Sequence, residues 1–269
     1  MTTTTTTPQK DNWSASNYAK HASFVPKLGS IILDKLDPQS NERVLDFGCG
    51  DGVLTKVLAS RVQSVTAIDA SRAMIERAQQ DNASQNTTYH TVNGYNLAAW
   101  FDSQEKENPY DAVFSSATLH WLKEDPAKAI QNIYHVLKPH GRFVAEFGGF
   151  MNCGEIKNAL VHALNRRGID GNAASPWFFP SAEYYSKMLA ENGFQVQEAE
   201  LVPRMTELDT DIKGWIETFG FAFLEHLKDD QERKQVAQEV QDYLQPSFQR
   251  EDGKWVIMYV RLRIIAIKE

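Results

Sequence analysis

The sequence predicts an α/β fold with a doubly wound, mostly parallel sheet, and three observations lead to this prediction. Short apolar segments alternate with amphipathic helical segments between residues 43 and 147. A glycine-rich turn directly follows the first apolar segment. The chain has 269 residues, 42% of them hydrophobic, which is enough to bury a sizeable core. Alternation of this kind is typical of βαβ units, whose strands run parallel.

Runs of β-branched and aromatic residues define the predicted strands, and helical spacing of apolar residues defines the helices between them. We predict strands at 43–47, 64–68, 88–93, 111–117, 142–147, 194–202 and 255–267. We predict helices at 18–36 (interrupted by Pro26), just after Gly52, and at 72–80, 126–137, 154–166, 181–191 and within 210–245. Asp125 should cap the helix that Pro126 begins.

The domain organisation is predicted from composition and from the end of the regular strand–helix alternation after Gly148. Residues 1–12, with their threonine run, are predicted to be a disordered tail. No long linker divides the remainder, so residues 13–269 should form a single domain. Its core is expected at about 40–150, with helical lid segments at about 151–192 and 209–250.

Charge and cysteine content narrow the range of partners. Lys and Arg number 28 against 35 Asp and Glu, a net charge of −7, which disfavours nucleic acid as a partner. The two cysteines, Cys49 and Cys153, form no disulfide framework, and no Cys/His spacing suggests a metal. No segment has the pattern of a secretory signal or a membrane span. We therefore expect a cytoplasmic monomer or homodimer without membrane contact.

The segment VLDFGCGDG at 44–52 carries the strongest functional signal. A strand runs into a tight glycine turn and then a helix, so a ligand can approach the backbone closely. The glycines stand at 48, 50 and 52 with Val53 behind them, which departs from the G-x-G-x-x-G spacing of dinucleotide-binding turns. Asp46 lies two residues before the first glycine, where a carboxylate would repel a pyrophosphate and favour an ammonium group.

This segment resembles the first motif of the class I S-adenosylmethionine-dependent methyltransferases, and the resemblance covers about residues 40–150. It implies a Rossmann-like sheet of seven strands with an antiparallel last strand and a helical lid, and S-adenosyl-L-methionine as cofactor. In this family the acid at the strand end and the glycine turn hold the methionine portion of the cofactor. The corresponding residues are Asp46, Gly48, Cys49 and Gly50.

Two further segments extend the resemblance along the cofactor. Asp69 ends the second predicted strand, and with Ala70 it is expected at the ribose, whose hydroxyls can donate to its carboxylate. The segment TVNGYNL resembles the part of the family that contacts adenine, which points to Asn93, Gly94 and Tyr95. The alternative for Asp69 is an acid that stabilises the start of the next helix, and the alternative for residues 93–95 is a polar strand end.

The strand predicted at 111–117 should end beside the transferable methyl group. The resemblance places Ser115, Ser116 and Ala117 along the cofactor floor. A residue of the segment before the core, Tyr18, is a further candidate for a cofactor contact.

The pair His120–Trp121 points to a narrower group within the family. Together with LKPHGRFVAEFGG at 137–149, it resembles a subset that includes trans-aconitate and malonyl-carrier-protein methyltransferases. His120 is a candidate for a general base or for positioning the acceptor, and a structural role is an equal alternative.

Aromatic and basic residues of the lid and the last strands are candidates for the acceptor site. They are Trp121, Trp177, Arg204, Tyr259 and Arg261. An arginine can hold a carboxylate through two parallel hydrogen bonds. Arg261 and Arg263 share one face of the last predicted strand, and the competing interpretation is a solvated charged face.

The functional hypothesis is methyl transfer from S-adenosylmethionine to a small molecule, with O-methylation of a carboxylate ahead of a hydroxyl. In-line positioning can supply about 7–11 kcal/mol of such a barrier. A carboxylate needs no base, whereas a phenol or alcohol would benefit from one. Amine or carbon acceptors and a non-catalytic S-adenosylmethionine-binding protein stay open as alternatives. The glycine spacing disfavours an NAD-dependent oxidoreductase.

Overall fold

A seven-stranded sheet with strand order β3-β2-β1-β4-β5-β7-β6 forms the centre of the molecule. The structure is a computed structural model that describes residues 31–104 and 106–269. The strands are β1 (Arg43–Phe47), β2 (Ser64–Asp69), β3 (Thr87–Thr91), β4 (Tyr110–Ser116), β5 (Leu137–Gly148), β6 (Phe194–Glu207) and β7 (Val256–Lys268). Strands β1 to β5 pair in parallel, whereas β7 runs antiparallel between β5 and β6. The predicted fold class is therefore confirmed.

Helices cover both faces of the sheet, as the doubly wound pattern requires. They are α1 (Val53–Ala59), α2 (Arg72–Asp81), α3 (Leu97–Gln104), α4 (Pro126–Val136), α5 (Gly154–Asn165), α6 (Gly171–Ala174), α7 (Ala182–Glu191), α8 (Ile212–Phe219), α9 (Phe221–Glu225) and α10 (Asp230–Phe248), after helical residues 31–36. The Asp125 side chain accepts from Lys128 N at 2.9 Å and so caps α4, as predicted. None of the helices within the described residues combines the length and apolarity that crossing a membrane requires.

Several predicted boundaries are wrong, and strand pairing explains most of the differences. Strand β5 begins at Leu137 instead of 142, because Leu137 pairs with Tyr110 before the register shifts. Strand β6 continues to Glu207 because β7 pairs with it along its whole length. Pro203 is tolerated within β6 because this strand lies at the edge of the sheet. The sequence prediction misses α3, whose buried apolar stripe is too short to show a clear helical period.

Two hydrophobic clusters matter for the position of the site. One lies between the sheet and its flanking helices and includes Leu45, Val113 and Phe143. The other joins α5, α8 and α10 to the start of β7, and Trp121 and Phe179 pack against it. Helices α5, α8 and α10 therefore stand beside the carboxyl end of β4. The predicted tail at 1–12 and Tyr18 lie outside the described residues.

Candidate active site

The glycine turn after β1 is fixed to the neighbouring strand and open on its other side. Gly48 N and Cys49 N both donate to Ile68 O, at 2.8 and 3.0 Å. Gly50 has φ 55°, a left-handed conformation that favours glycine, and a β-carbon placed there would meet no atom of the described residues within 4 Å. The turn thus presents exposed backbone beside free space, the arrangement that a closely bound ligand needs.

Asp69 lies at the carboxyl end of β2 and stabilises the glycine turn through a hydrogen bond. Its Oδ2 accepts from Gly50 N at 3.0 Å, and its Oδ1 accepts from Ser71 N at 2.8 Å. The side chain is half-buried, and the adjacent Ala70 is exposed. A carboxylate oxygen can accept more than one hydrogen bond, so Asp69 retains capacity for the hydroxyl groups of a ligand.

Asp46 is buried between β1 and the first turns of α1, and only 2% of it is exposed. Its Oδ2 accepts from Thr55 Oγ1 at 2.6 Å. Burial raises the pKa of Asp46 to about 7, against the lowering effect of the Thr55 hydrogen bond, and the nearby charge of Asp69 adds to the rise. Asp46 is therefore buried behind the turn and not exposed to a ligand, and its predicted part in holding the cofactor stays a prediction.

The burial of Asp46 predicts how stability depends on pH. An acid whose pKa is raised by folding stabilises the folded state below its unfolded pKa, and this contribution is lost as pH rises through the folded value of about 7. Asp46→Asn, which keeps an oxygen for Thr55, should remove this loss. We expect the wild type to lose on the order of 2 kcal/mol relative to the variant between about pH 5 and pH 8. Urea unfolding of both proteins at the two pH values measures it, and equal pH dependences would contradict it.

The three residues predicted near adenine lie together, directly after β3. Asn93 Oδ1 accepts from Tyr95 N at 2.9 Å and begins a short 3-10 helix, Gly94–Asn96. The Tyr95 hydroxyl accepts from Asp125 N at 3.2 Å, and Gly94 O accepts from Asn132 Nδ2 at 2.9 Å. These contacts show a structural role for all three residues, which leaves the predicted adenine contacts as a proposal.

A small cavity lies at the carboxyl end of β4. It is lined by Ala117, His120, Trp121, Asn152, Trp177, Phe179, Trp215, Phe219, Tyr259 and Arg261. Ala117 has φ 58°, and the next residue, Thr118, donates from Oγ1 to Gly48 O at 3.0 Å. Ser115 Oγ donates to Phe47 O at 2.8 Å. The cavity and the glycine turn are therefore direct neighbours.

The structure brings most of the predicted acceptor residues to this cavity, although they are far apart in the sequence. Trp121, Trp177, Tyr259 and Arg261 line it, whereas Arg204 does not. Trp215 Nε1 donates to the Tyr259 hydroxyl at 2.7 Å, which fixes the orientation of two of the aromatic walls. The cavity thus combines aromatic walls with a few polar side chains.

Arg261 and Arg263 are buried, so the interpretation of a solvated charged face is wrong. Arg263 Nε donates to Glu146 at 2.7 Å, and Arg204 Nη1 lies 3.6 Å from the same carboxylate. Arg261 is 5% exposed, and its guanidinium lies 4.4 Å from the centre of the Tyr259 ring. Among the described residues, no acceptor faces its Nε. A buried arginine in this state favours an anionic ligand in the cavity.

His120 is 6% exposed and occupies the cavity wall between two aromatic rings. Its Nδ1 accepts from Gly148 N at 3.3 Å. Burial, and then the positive charge of Arg261, hold the pKa of His120 well below its usual value. The imidazole is therefore neutral at physiological pH.

Asn152 is a cavity residue that sequence reasoning missed. Met151 and Cys153, on either side of it, have φ angles of 69° and 46°, which few residues other than glycine adopt. Asn152 Oδ1 accepts from Val260 N at 3.0 Å, in place of the strand carbonyl that β5 no longer provides. The regular alternation of strands and helices ends after Gly148, which indicated a change in structure there but did not identify any particular residue.

Comparisons with known proteins agree with this geometry. A family model described as a methyltransferase domain matches residues 45–145. An uncharacterized methyltransferase of Schizosaccharomyces pombe is 37% identical over 97% of this chain and 99% of its own length. A malonyl-[acyl-carrier protein] O-methyltransferase of Acetivibrio thermocellus is 29% identical over 66% of this chain and 61% of its own length. The trans-aconitate 2-methyltransferase of Pseudomonas aeruginosa is 24% identical over 94% of this chain and 93% of its own.

A solved structure shows the same fold. The S-adenosylmethionine-dependent methyltransferase of Anabaena variabilis superposes with a TM-score of 0.55 at 16% identity, over 98% of this chain and 88% of that one. The sheet order and the glycine turn define a class I methyltransferase fold, and a cavity adjoins the turn. The chain belongs to the class I S-adenosylmethionine-dependent methyltransferases and resembles their malonyl-carrier-protein and trans-aconitate subset.

Proposed function

We propose that the protein transfers a methyl group from S-adenosylmethionine to a carboxylate oxygen of a small molecule. The observation that carries this proposal is Arg261, a buried guanidinium that lines the cavity with its Nε unpaired among the described residues. A buried cation whose Nε–H has no acceptor among the described residues favours an anion, and arginine matches the planar geometry of a carboxylate.

The residues around the glycine turn fit the cofactor. The free space at Gly50 suits close approach of the methionine portion, and Cys49 and Gly48 belong to the same turn. Asp69 is the proposed acceptor for the ribose hydroxyls, and residues 93–95 are the proposed contacts of the adenine. Bound there, S-adenosylmethionine supplies a methyl group that is already activated by a positively charged sulfur.

The cavity can promote methyl transfer by excluding water and by orienting the acceptor. Aromatic side chains from three segments, Trp121, Trp177 and Trp215, exclude water from the acceptor, because a hydrated nucleophile attacks slowly. Arg261 orients an anionic acceptor. Holding the acceptor oxygen in line can contribute about 7–11 kcal/mol to lowering the barrier. A carboxylate is ionised at neutral pH, so no proton has to be removed.

The names of two relatives support the same acceptor class. One is an O-methyltransferase for a malonyl carrier protein and the other a 2-methyltransferase for trans-aconitate, and both names denote acids. Because their identity to this chain is 29% and 24%, they support the acceptor class and do not identify the compound.

Transfer of a tritiated methyl group to a panel of compounds tests the proposal. We expect label in at least one di- or tricarboxylate, in a form that alkali releases as methanol, since methyl esters hydrolyse readily. Asp69→Ala serves as the blank for each compound. Label confined to alkali-stable products of phenols, amines or carbon acids would overturn carboxylate methylation. Cofactor binding without transfer to any compound would indicate a non-catalytic binding protein.

A further inference from the structure

The hydrogen bond to His120 determines which nitrogen of the ring carries the proton. Gly148 N–H can only donate, so Nδ1 of His120 must be the acceptor in their 3.3 Å contact. A neutral imidazole has one proton, and it must therefore reside on Nε2. No described residue accepts a hydrogen bond from Nε2, and His120 lines the cavity.

The surroundings keep the His120 ring neutral. Arg261 on β7 is the charged group that acts on the ring, and Lys157 on α5 lies 5.8 Å from the centre of the adjoining Phe179 ring. Tyr259 and Cys153 also border this region, and burial raises the pKa of each. No carboxylate is among the cavity-lining residues, so nothing in that lining stabilises an imidazolium.

Asn152 presents a second uncharged donor beside His120. Because its Oδ1 accepts from Val260 N–H, the Nδ2 amino group must be on the other side of the amide. This nitrogen lies over Gly148, 2.8 Å from the position that a β-carbon on that glycine would take. Gly148 thus connects the two residues: its N–H orients His120, and its lack of a side chain leaves room for Asn152.

We propose that His120 Nε2–H and Asn152 Nδ2–H form an uncharged donor pair that positions the acceptor carboxylate, and that His120 is not a general base. The inference rests on the proposed function and narrows its substrate class. Acceptors must arrive already ionised, which excludes alcohols and ordinary phenols.

The transfer step balances without a base. A lone pair of the carboxylate oxygen forms the new bond to the methyl carbon, and the carbon–sulfur bond breaks with its electron pair going to sulfur. An anion and a sulfonium become a neutral ester and a neutral thioether, and no proton moves. Because the carboxylate loses its charge, uncharged donors lose less interaction with it in the transition state than a cation in contact with the attacking oxygen would.

Nitrogen-15 NMR of the histidine rings tests the protonation state independently of any acceptor. The chain has seven histidines, and the signals lost in His120→Gln identify this ring. We expect the neutral Nε2–H tautomer throughout the range from about pH 6 to pH 8. An Nδ1–H tautomer, or an imidazolium in this range, would overturn the inference. If the tautomer is as expected but no acid is methylated, the proposed function fails and the protonation assignment stands.

Kinetics of paired variants test the role of His120. Glutamine can donate a hydrogen bond but cannot act as a base, whereas alanine can do neither. We expect His120→Gln to retain kcat/KM within about threefold and the wild-type pH profile, and His120→Ala to lose about tenfold or more, mainly in KM. If His120 were a base, both variants should lose about 10²–10⁴-fold, and that result would contradict the proposal.

Asn152→Asp tests the second donor while preserving the contact to the backbone. Aspartate keeps an oxygen for Val260 N–H but removes the donor and adds a negative charge. We expect the KM for the acid to rise at least about tenfold, with the Kd of S-adenosylhomocysteine unchanged. An unchanged KM would show that Asn152 only completes the strand pairing.

Discussion

Asp69→Ala should weaken the binding of S-adenosylmethionine at least about a hundredfold. The carboxylate has two tasks, because it holds Gly50 N and Ser71 N and is the proposed acceptor for the ribose hydroxyls. Hydrogen bonds to a charged group contribute about 1.5–3 kcal/mol each, so two of them correspond to roughly 10²–10⁴ in affinity. Titration calorimetry with S-adenosylmethionine and S-adenosylhomocysteine measures the change.

Two further variants separate charge from geometry at this position. Asp69→Asn keeps one oxygen for the backbone and should have an intermediate affinity. Asp81→Ala removes the same charge from the far end of α2, where the carboxylate contacts Arg77, and should leave the affinity unchanged. Wild-type affinity in Asp69→Ala would show that the glycine turn is a structural feature and not the cofactor site.

Arg261→Met should reduce kcat/KM for the acid acceptor at least about a hundredfold, almost entirely through KM. A guanidinium that holds an anionic group of the acid, other than the carboxylate that reacts, with two charge-assisted bonds contributes about 3 kcal/mol or more when both groups are shielded from water. The Kd of S-adenosylhomocysteine should not change. Initial rates over a range of acid concentrations, with saturating cofactor, give the two parameters separately.

Arg263→Met is the matched control for Arg261→Met. Arg263 is also buried, but its Nε donates to Glu146 and it is not among the cavity-lining residues. Its removal leaves a buried carboxylate with less compensation, so we expect a lower Tm and a normal KM. Equal KM values for wild type and Arg261→Met would contradict the role of Arg261 in holding the acceptor.

The sheet and the glycine turn could be predicted from the sequence because neighbouring residues specify each strand, turn and helix start. The run from Val44 to Gly52 contains a strand, a turn and a helix start, and each is specified by neighbouring residues. The antiparallel direction of β7 was implied by the family resemblance and not by any pattern in residues 255–267. The extent of β5 and β6 depends on which strands they pair with, so their ends could not be found from propensity.

The cavity was harder to predict because it depends on contacts between distant segments. Alternation along β7 predicted that Arg261 and Arg263 share a face, but not that this face is buried or that Glu146 pairs with only one of them closely. Asn152 lies in the cavity because the residues on either side of it have left-handed backbone conformations and its side chain accepts from Val260 N. No residue pattern predicts such a loop. The protonation of His120 depends on Gly148, which is adjacent only in the folded chain.

A crystal structure of the protein with S-adenosylhomocysteine and its acid acceptor tests the central claim most directly. We expect the cofactor ribose at Asp69 and the acceptor in the cavity. Its carboxylate oxygens should lie within hydrogen-bond distance of His120 Nε2 and Asn152 Nδ2, with Arg261 close to an anionic group. An acid bound elsewhere, or one whose reacting group contacts neither His120 nor Asn152, would contradict the assignment of this cavity as the acceptor site.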